Sequence, residues 1–289
     1  MEPAGDPPRA VVMPGSSFTE LFQRGKAVYE ELFGVAPDAS GLSVSSIVPG
    51  ASGATDIALA HLFGEVYCRN QLTLKQRSFT TVSVLIALGK EPELQLHFGG
   101  LMNQGYHPDQ LQEMCLHLAH YVGWPNCVAA RRALDKALAD EKNQSIVQRA
   151  QQQQKPGRKD LPYQTLATSP SEQFERGKLL AKTLTGRDGF MRLAPDGGFN
   201  DVTFGHLFGN IWCRPDLSIL ERVWMVNAAL MALGKEDALK AIYIQGFLHS
   251  GGTREQLEEM ALHIANYAGW PACVGARRAL AAVAPIGKI

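Results

Sequence analysis

Apolar residues along this chain recur at three- and four-residue spacing, which is the pattern of amphipathic helices. The first such segment runs from Ser17 to Phe33, with apolar residues at Phe18, Leu21, Phe22, Val28, Leu32 and Phe33. Farther on, the stretch Val82–Leu88 is almost entirely apolar, which predicts a helix buried at the centre of the fold. No segment of useful length alternates apolar and polar residues with a period of two. The pattern therefore predicts an all-α protein.

The helical pattern occurs twice along the chain. Asp56–Lys90 matches Asp201–Lys235 without a gap at an offset of 145 residues, and Tyr106–Leu134 matches Gly252–Leu280 at an offset of 146. A fixed period of this length indicates a tandem duplication of one domain. Because the offset grows by one, the second copy carries one extra residue between the two matching blocks.

Start and stop signals bound the helices in each copy. Thr73 and Ser218 are predicted N-cap residues of the central apolar helix, and Gly89 stands where a left-handed terminator is expected. Asp56 is available as a cap for the helix before it. The segment from Gly34 to Gly53 is rich in Gly, Pro and Ser and is predicted to be a loop.

The duplication and the composition of the connecting segments define the predicted domains. Residues 1–16 carry acids and prolines where a secretion signal would need a basic start and an apolar core, so we expect a disordered N-terminus. Repeat one covers 17–138, a glutamine-rich linker covers 139–169, and repeat two covers 170–289. A polar linker of this length would let the two repeats pack face to face.

Charge and cysteine usage exclude several classes of protein. Lys plus Arg equals Asp plus Glu at 28 each, so there is no basic field for nucleic acid and no polybasic anchor for a membrane. No apolar run reaches the roughly 18–20 residues of a membrane span. The 5 cysteines are an odd number without a Cys-x-x-Cys pair, which argues against disulfides and against zinc spacing. We therefore expect a cytoplasmic protein that binds a small molecule.

A series of motifs occurs in a fixed order in repeat one: Phe63–Arg69, Arg77, Ala87–His97, Asn103-x-Gly105 and Leu116–Pro125. In this order they resemble the γ-carboxymuconolactone decarboxylase family, which belongs to the AhpD-like, all-helical group. The resemblance covers most of both repeats. It implies a helical subunit that assembles into rings with sites near the subunit contacts. A tandem chain is therefore expected to be a homo-oligomer, in which three chains could mimic a hexamer.

The chain departs from the family pattern in two ways that concern chemistry. The decarboxylases of the family usually have Trp-Ser where this chain has Tyr67-Cys68 and Trp212-Cys213. The peroxidase branch uses a Cys-x-x-Cys pair, which this chain lacks. A changed pocket wall at Tyr67 means that the resemblance does not identify the substrate.

Two polar residues match the family in repeat one only. Asn210 replaces Glu65, and His97 falls opposite Ile242 or Tyr243, depending on the position of the extra residue. A purely structural polar contact would have no obvious reason to be lost from one copy. The asymmetry therefore favours an active site mainly in repeat one, with repeat two as its packing partner.

The resemblance implies a cofactor-free carboxy-lyase that acts on a small carboxylated lactone or a related unsaturated acid. Such a reaction needs a cation that holds a carboxylate, a group that moves a proton, and donors for the developing negative charge. Glu65 or His97 would move the proton. Arg77 or Arg69 would hold a carboxylate through two parallel hydrogen bonds.

Each of these residues also has a structural interpretation. Glu65 could pair with His61, one helical turn before it, and His97 could be a helix-surface residue. A buried arginine needs a partner, so Arg77 and Arg222 could form ion pairs within the chain instead of binding a ligand.

Further substrate contacts are predicted at Tyr67, Arg222 and His117. Tyr67 would form part of the pocket wall. His117 follows Glu113 by four residues on the same helix face, and local support between the two side chains is the simpler interpretation.

Two other functions remain open. A thiol-dependent hydroperoxide reductase would use Cys68, whose neighbour Arg69 could lower the pKa of the thiol. A non-catalytic, oligomeric binding protein would leave Glu65 and His97 in solvent. Neither a metal nor another cofactor is expected, since no ligand-spacing motif joins His61, Glu65, His97 and His117.

Overall fold

The computed structural model describes residues 16–37, 43–48, 51–152 and 167–283. The helices of repeat one are α1 (Phe18–Phe33), α2 (Ala54–Ile57 continuing into π-helical Ala58–Val66), α3 (Leu74–Leu88), α4 (Glu91–Asn103), α5 (Pro108–Val122) and α6 (Trp124–Ala139). A 3-10 turn (Glu141–Asn143) leads into α7 (Gln144–Gln152).

Repeat two follows the same order of helices. They are α8 (Pro170–Thr185), a 3-10 turn (Asp188–Arg192), α9 (π-helical Asp201–Ile211), α10 (Ile219–Ala232), α11 (Glu236–Ala238, π-helical Leu239–Tyr243 and Ile244–His249), α12 (Arg254–Ala268) and α13 (Trp270–Ala282). The prediction of an all-α fold built by tandem duplication is confirmed. Within the described ranges, no helix is long and apolar enough to cross a membrane.

A short hairpin interrupts the segment that was predicted to be a loop. Strand β1 (Ser43–Val48) pairs antiparallel with β2 (Ala51–Gly53). The β-branched residues of β1 favour an extended backbone, so the loop prediction was wrong for these residues. Two parts of the predicted segments lie outside the described part of the chain. They are residues 1–15 of the N-terminus that was expected to be disordered and residues 153–166 of the predicted linker.

The predicted caps of the central helix are present. Thr73 and Ser218 each form a capping box, in which the side chain accepts the backbone N–H of the third helical residue. Gly89 ends α3 in the left-handed conformation, with φ of 65°. Asp56 is not a cap, because α2 already begins at Ala54.

The two repeats pack against each other through their central helices. The α3 side chains from Phe79 to Ala87 are all buried, as are those of α10 from Arg222 to Met231. Helix α3 contacts both α10 and α12, and α10 contacts α5. The strongly apolar stretch of the sequence is therefore the interface between the repeats as well as their core.

The beginning of the predicted linker belongs to repeat one. Helix α7 buries Ile146, Val147 and Ala150 and packs against α4. The segment therefore contributes apolar residues to the core of repeat one, which its polar composition did not predict.

The extra residue of repeat two lies inside α11. Helix α4 has 13 residues, whereas the three parts of α11 have 3, 5 and 6, one residue more in total. A π-helical turn, Leu239–Tyr243, absorbs the insertion. As a result Tyr243 takes the place of His97: the Tyr243 ring lies 5.5 Å from that of Tyr121, and the His97 ring lies 5.9 Å from that of Tyr267.

Pairs of glycines allow the first two helices of each repeat to cross in backbone contact. A Cβ atom on Gly25 would lie 1.7 Å from the Leu59 carbonyl oxygen, and one on Gly64 would lie 2.0 Å from that of Leu21. Residues with a side chain cannot make this approach. In repeat two, Gly177 and Gly209 form the same crossing.

We expect Gly209→Ala to lower the free energy of unfolding by about 3 kcal/mol, since the added methyl overlaps the backbone. The new Cβ would lie 1.9 Å from the Gln173 carbonyl oxygen. Urea unfolding followed by circular dichroism measures the change. Gly205 is the matched control, because it lies four residues earlier in α9 and has nothing within 4 Å of an added Cβ. Equal destabilisation by both variants would contradict the crossing.

Candidate active site between the two repeats

Two buried ion pairs connect the repeats. Arg77 in α3 donates to Glu259 in α12 over 2.7 Å, and Arg69 binds the same carboxylate through Nε and Nη2 at 2.8 Å each. Arg222 donates to Glu113 over 2.8 Å, and Arg214 does so over 2.6 Å. Each repeat therefore supplies two arginines to a glutamate of the other repeat, in a pseudo-twofold arrangement.

The sequence predicted that Arg77 holds a substrate carboxylate and that Arg222 contacts substrate, but this geometry favours the structural alternative for both side chains. Both side chains are 0% exposed, and each also donates Nη2 to a backbone carbonyl at 2.7 Å, that of Arg69 or Arg214. Burial lowers the pKa of both guanidinium groups, but arginine stays protonated in proteins. The alternative interpretation, an ion pair within the chain, is the observed one.

A chain of hydrogen bonds extends from Arg77 towards the surface. Arg77 Nη1 lies 3.4 Å from His263 Nδ1, and His263 Nε2 lies 2.9 Å from Thr81 Oγ1. The Thr81 hydroxyl is 2.9 Å from Tyr67 Oη, which is 2.8 Å from Tyr267 Oη. Helical spacing produces this order, because residues four apart lie on one face of a helix. Thr81 follows Arg77 by one turn, and His263 and Tyr267 continue the row that starts at the α12 glutamate.

Beyond the charged Arg77, the groups of this chain are neutral near pH 7. Burial, followed by the charge of Arg77, holds the pKa of His263 well below its usual value. Burial raises the pKa of Tyr67 and raises that of Tyr267 well above the ordinary value. Both tyrosines therefore remain hydroxyl donors, and the imidazole remains uncharged.

His97 lies beside this chain and not on the helix surface. It is only 6% exposed, and its ring stands 5.1 Å from that of Phe33 and 5.9 Å from that of Tyr267. Its Nδ1 atom has no hydrogen-bond partner within the described residues. Burial lowers the pKa of His97 to about 4, so the ring is neutral at pH 7. A buried imidazole with an unused nitrogen is a strong candidate for a contact with substrate.

Glu65 lies in a solvent-exposed position, in contrast to the buried His97. Its side chain is 46% exposed and accepts a 2.9 Å hydrogen bond from His61, as the structural interpretation expected. Glu259 raises the pKa of Arg69, and the charge of Glu65 adds to the rise, which places Glu65 near the partly exposed guanidinium. The structure does not bring Glu65 and His97 into one hydrogen-bonded pair.

The equivalent position in repeat two has different chemistry. Val226 stands where Thr81 does and offers no hydroxyl. Trp212 replaces Tyr67 and donates Nε1 to Tyr121 Oη over 2.8 Å. The Tyr243 hydroxyl, in the place of His97, donates to the same oxygen over 3.2 Å. The polar groups of Trp212, Tyr121 and Tyr243 are thus directed at one another in this second site.

His117 is part of the buried ion-pair cluster. Its Nδ1 lies 2.8 Å from Arg222 Nη1, and the side chain is 0% exposed. The local pair with Glu113 is replaced by a shared contact with Arg222, which both side chains bind. The contact of His117 Nδ1 with Arg222 favours a structural role over the predicted substrate contact.

The thiol of Cys68 is enclosed. It is 2% exposed, and Sγ donates to the Phe63 carbonyl oxygen over 3.4 Å. All 5 cysteines are free and buried, and burial raises the pKa of Cys115, Cys127 and Cys273. A thiol used against peroxide needs to be exposed, and the Cys68 thiol is not.

The described residues offer neither a metal site nor a cofactor-binding motif at His97. Among the described residues, no group of three or more His, Cys, Asp or Glu side chains could hold a metal ion. A cleft of about 440 Å³ lies instead beside the second ion pair, lined by Asp109, Gln112, Glu113, Cys115, Leu116, Cys127, Arg131, Arg214 and Asp216.

Sequence reasoning missed the contribution of repeat two to the site around His97. Glu259, His263 and Tyr267 belong to that repeat, and only the packing of α12 on α3 brings them to Tyr67. One signal was visible in the sequence, because Thr81 is a polar residue next to the most apolar stretch of the chain and Val226 replaces it.

The buried state of His97 makes stability depend on pH. The folded protein binds this proton near pH 4 and the unfolded chain near pH 6.5, so the unfolded state binds more protons in between. Stability therefore falls as the pH drops through this window. Between pH 7 and pH 5 the wild type should lose about 2 kcal/mol more than His97→Gln. Urea unfolding at both pH values measures this, with the exposed His61→Gln as control. Equal losses in wild type and His97→Gln would contradict the assignment.

Comparison with known proteins agrees with this architecture. The sequence model of the carboxymuconolactone decarboxylase family matches residues 54–136 and 198–282, more than half of the chain. A 4-carboxymuconolactone decarboxylase of Acinetobacter baylyi is 38% identical over 78 residues, 27% of this chain and 58% of the relative. The nitrosuccinic acid decarboxylase npaB of Metarhizium robertsii is 36% identical over 78 residues, 27% of this chain and 54% of the relative. The chain thus spans a little more than half the length of these relatives. With the family pattern present in both repeats, the chain belongs to the carboxymuconolactone decarboxylase family.

Proposed function

We propose that this protein is a carboxy-lyase that releases CO2 from a small carboxylic acid, at the site formed by His97, Tyr67 and Tyr267. The family and two relatives named as decarboxylases support the reaction type. The two named compounds carry a lactone carbonyl or a nitro group. Either group can accept the electron pair that CO2 leaves behind, which suggests the substrate class.

The observation that carries the proposal is the unused nitrogen of His97. In repeat two, the equivalent Tyr243 hydroxyl is bound by Tyr121. In repeat one, Nδ1 of a buried, neutral imidazole has no partner within the described residues. An unsatisfied buried polar atom costs about 1–3 kcal/mol, so a ligand that bonds it recovers this energy.

Arg69 is the cation best placed to hold a substrate carboxylate. Its side chain is 40% exposed, and Nη1 makes no hydrogen bond within the described residues, while Nε and Nη2 bind Glu259. The bound glutamate fixes the plane of the guanidinium, so the free edge is presented in one orientation.

The reaction follows from these positions. When the bond between carbon and carboxylate breaks, CO2 leaves and the electron pair moves into the acceptor group, whose oxygen becomes negative. Neutral His97 donates a hydrogen bond to that oxygen, a role in which an uncharged imidazole is effective. A proton from water then replaces CO2 on carbon.

The two alternatives fit less well. A hydroperoxide reductase would need a reactive Cys68, whose thiol is buried and bound to a carbonyl. A non-catalytic binding protein would leave both Glu65 and His97 in solvent, whereas His97 is 6% exposed.

We also propose that the chain forms a homo-oligomer through apolar residues that repeat at equivalent positions. Trp124 and Trp270 are 57% and 63% exposed, and Val128 and Val274, one turn farther along, are 48% and 50% exposed. Exposed apolar residues of this size, present in both copies, are typical of contact surfaces. Three tandem chains could close a ring through these two surfaces.

Purified protein should release CO2 from 4-carboxymuconolactone or from nitrosuccinic acid. His97→Gln should lower kcat about 100-fold, the usual contribution of a positioned acid–base or oxyanion donor. His120→Asn, which copies Asn266 of repeat two, is the control and should keep wild-type kcat. If Glu65→Gln lowered kcat about 100-fold while His97→Gln kept full activity, the result would contradict the role of His97 and assign the chemistry to Glu65.

A parallel assay with an organic hydroperoxide and a thiol donor tests the rival function. We expect no turnover beyond that of the Cys68→Ser variant. Peroxide consumption that disappears in Cys68→Ser, without any release of CO2, would contradict the lyase.

Light scattering tests the oligomer. At micromolar concentration the wild type should have a mass several times the 31.5 kDa of one chain. Trp124→Ser combined with Trp270→Ser should shift it to the mass of one chain, because the apolar contacts are removed. A monomeric wild type would contradict the proposal.

A further inference from the structure

The direction of the hydrogen-bond chain from Arg77 is determined by its first member. Arginine only donates hydrogen bonds, so His263 Nδ1, 3.4 Å from Arg77 Nη1, must accept. A neutral imidazole with an accepting Nδ1 carries its hydrogen on Nε2. His263 therefore donates to Thr81 Oγ1, 2.9 Å away.

The remaining members follow from the need to satisfy every buried hydrogen. Thr81 accepts from His263, and its own hydrogen is directed at Tyr67 Oη, 2.9 Å away. Tyr67 is 0% exposed, and Tyr267 Oη at 2.8 Å is then the acceptor for its hydrogen. In the opposite direction Thr81 would accept from both Tyr67 and His263, and neither of these two contacts would take up the Thr81 hydroxyl hydrogen. Tyr267, the half-buried member, is left with its hydroxyl hydrogen directed out of the chain.

We propose that Tyr267 is a catalytic residue that donates this hydrogen to the developing oxyanion of the substrate, and that Thr81 and His263 are positioning residues that make it a donor. The inference rests on the proposed carboxy-lyase function. His97 lies beside Tyr267, so the two donors can bind one oxygen from adjacent directions. Successive hydrogen bonds polarise one another, which strengthens the terminal donor.

By the same argument, the second pseudo-equivalent site lacks a chain of this kind. In repeat two, Val226 cannot relay a hydrogen bond from His117, and Trp212 donates to Tyr121 Oη. Tyr243 donates to the same oxygen. Tyr121 is therefore held by neighbours that already occupy its oxygen, and no chain from Arg222 orients it.

Kinetics of three variants test the proposal. Tyr267→Phe should lower kcat about 100-fold, as expected for loss of one oxyanion donor. Thr81→Val, which copies Val226, should lower kcat about 10-fold, because it removes the support and not the donor. KM should change less than about threefold in both, since the lost bond forms in the transition state. Thr81→Ser keeps the hydroxyl and should restore most of kcat.

A double variant tests whether Thr81 acts through Tyr267. In the Tyr267→Phe background, Thr81→Val should have little further effect, because the donor it supports is already absent. If the losses of kcat in the two single variants multiplied in the double variant, the positioning role of Thr81 would be overturned. Tyr121→Phe, the equivalent change in the second site, should keep wild-type kcat. Thr80→Val is the control for Thr81→Val, because it removes the hydroxyl of the neighbouring residue, which Trp224 binds at 2.8 Å. A loss in Thr80→Val as large as in Thr81→Val would assign the effect to packing.

Imidazole nitrogen NMR separates failure of this inference from failure of the proposed function. His263 should be the Nε2–H tautomer in wild type, and the protected Nε2–H signal should exchange faster with water in Thr81→Val. An Nδ1–H tautomer would overturn the chain whether or not the protein releases CO2. The expected tautomer in a protein without lyase activity would reject the proposed function and with it the catalytic role of Tyr267, leaving the chain as structure.

Discussion

Two buried arginine–glutamate pairs hold the repeats in register. Arg77 and Arg222 are 0% exposed, and each depends on a glutamate from the other repeat. Removing one partner of such a pair leaves a buried charge without compensation, which costs about 3–5 kcal/mol. The repeats can therefore pack in few arrangements other than the observed one. Because Glu259 begins a row on α12, that arrangement also brings His263 and Tyr267 against α3.

Duplication gave the protein two versions of this arrangement, and the versions have diverged. Both keep the arginines, the glutamate and the histidine, which stabilise the interface. They differ at positions next to the interface. Thr81 of repeat one corresponds to Val226 of repeat two, and His97 corresponds to Tyr243. Single substitutions and one inserted residue, absorbed by a π-helical turn, change a site with free polar atoms into one whose polar groups bind one another.

The burial of His97 costs free energy in the free protein, and the proposed function makes use of the same burial. The neutral form is imposed by burial, and the unused Nδ1 is an energetic deficit in the free protein. The aromatic rings of Phe33 and Tyr267 lie 5.1 Å and 5.9 Å from the His97 ring. Under the proposed function, a ligand oxygen bound by His97 would meet a donor that is already in position, and such preorganised donors are the main electrostatic source of catalysis in enzymes.

The sequence alone determined the all-α class, the duplication, the family and the caps at Thr73 and Ser218, because these depend on local periodicity and on spacing along the chain. It also identified Glu65, His97, Arg77 and Arg69 as groups worth locating. Tertiary structure decided their roles. Whether Arg77 faces a ligand or Glu259 depends on residues 182 positions apart, as does the bond between Thr81 and His263. The sequence also left open where the extra residue of α11 lies, because its position depends on which ring packs against Tyr121. Contacts across such distances follow from packing between helices, and no local pattern records them.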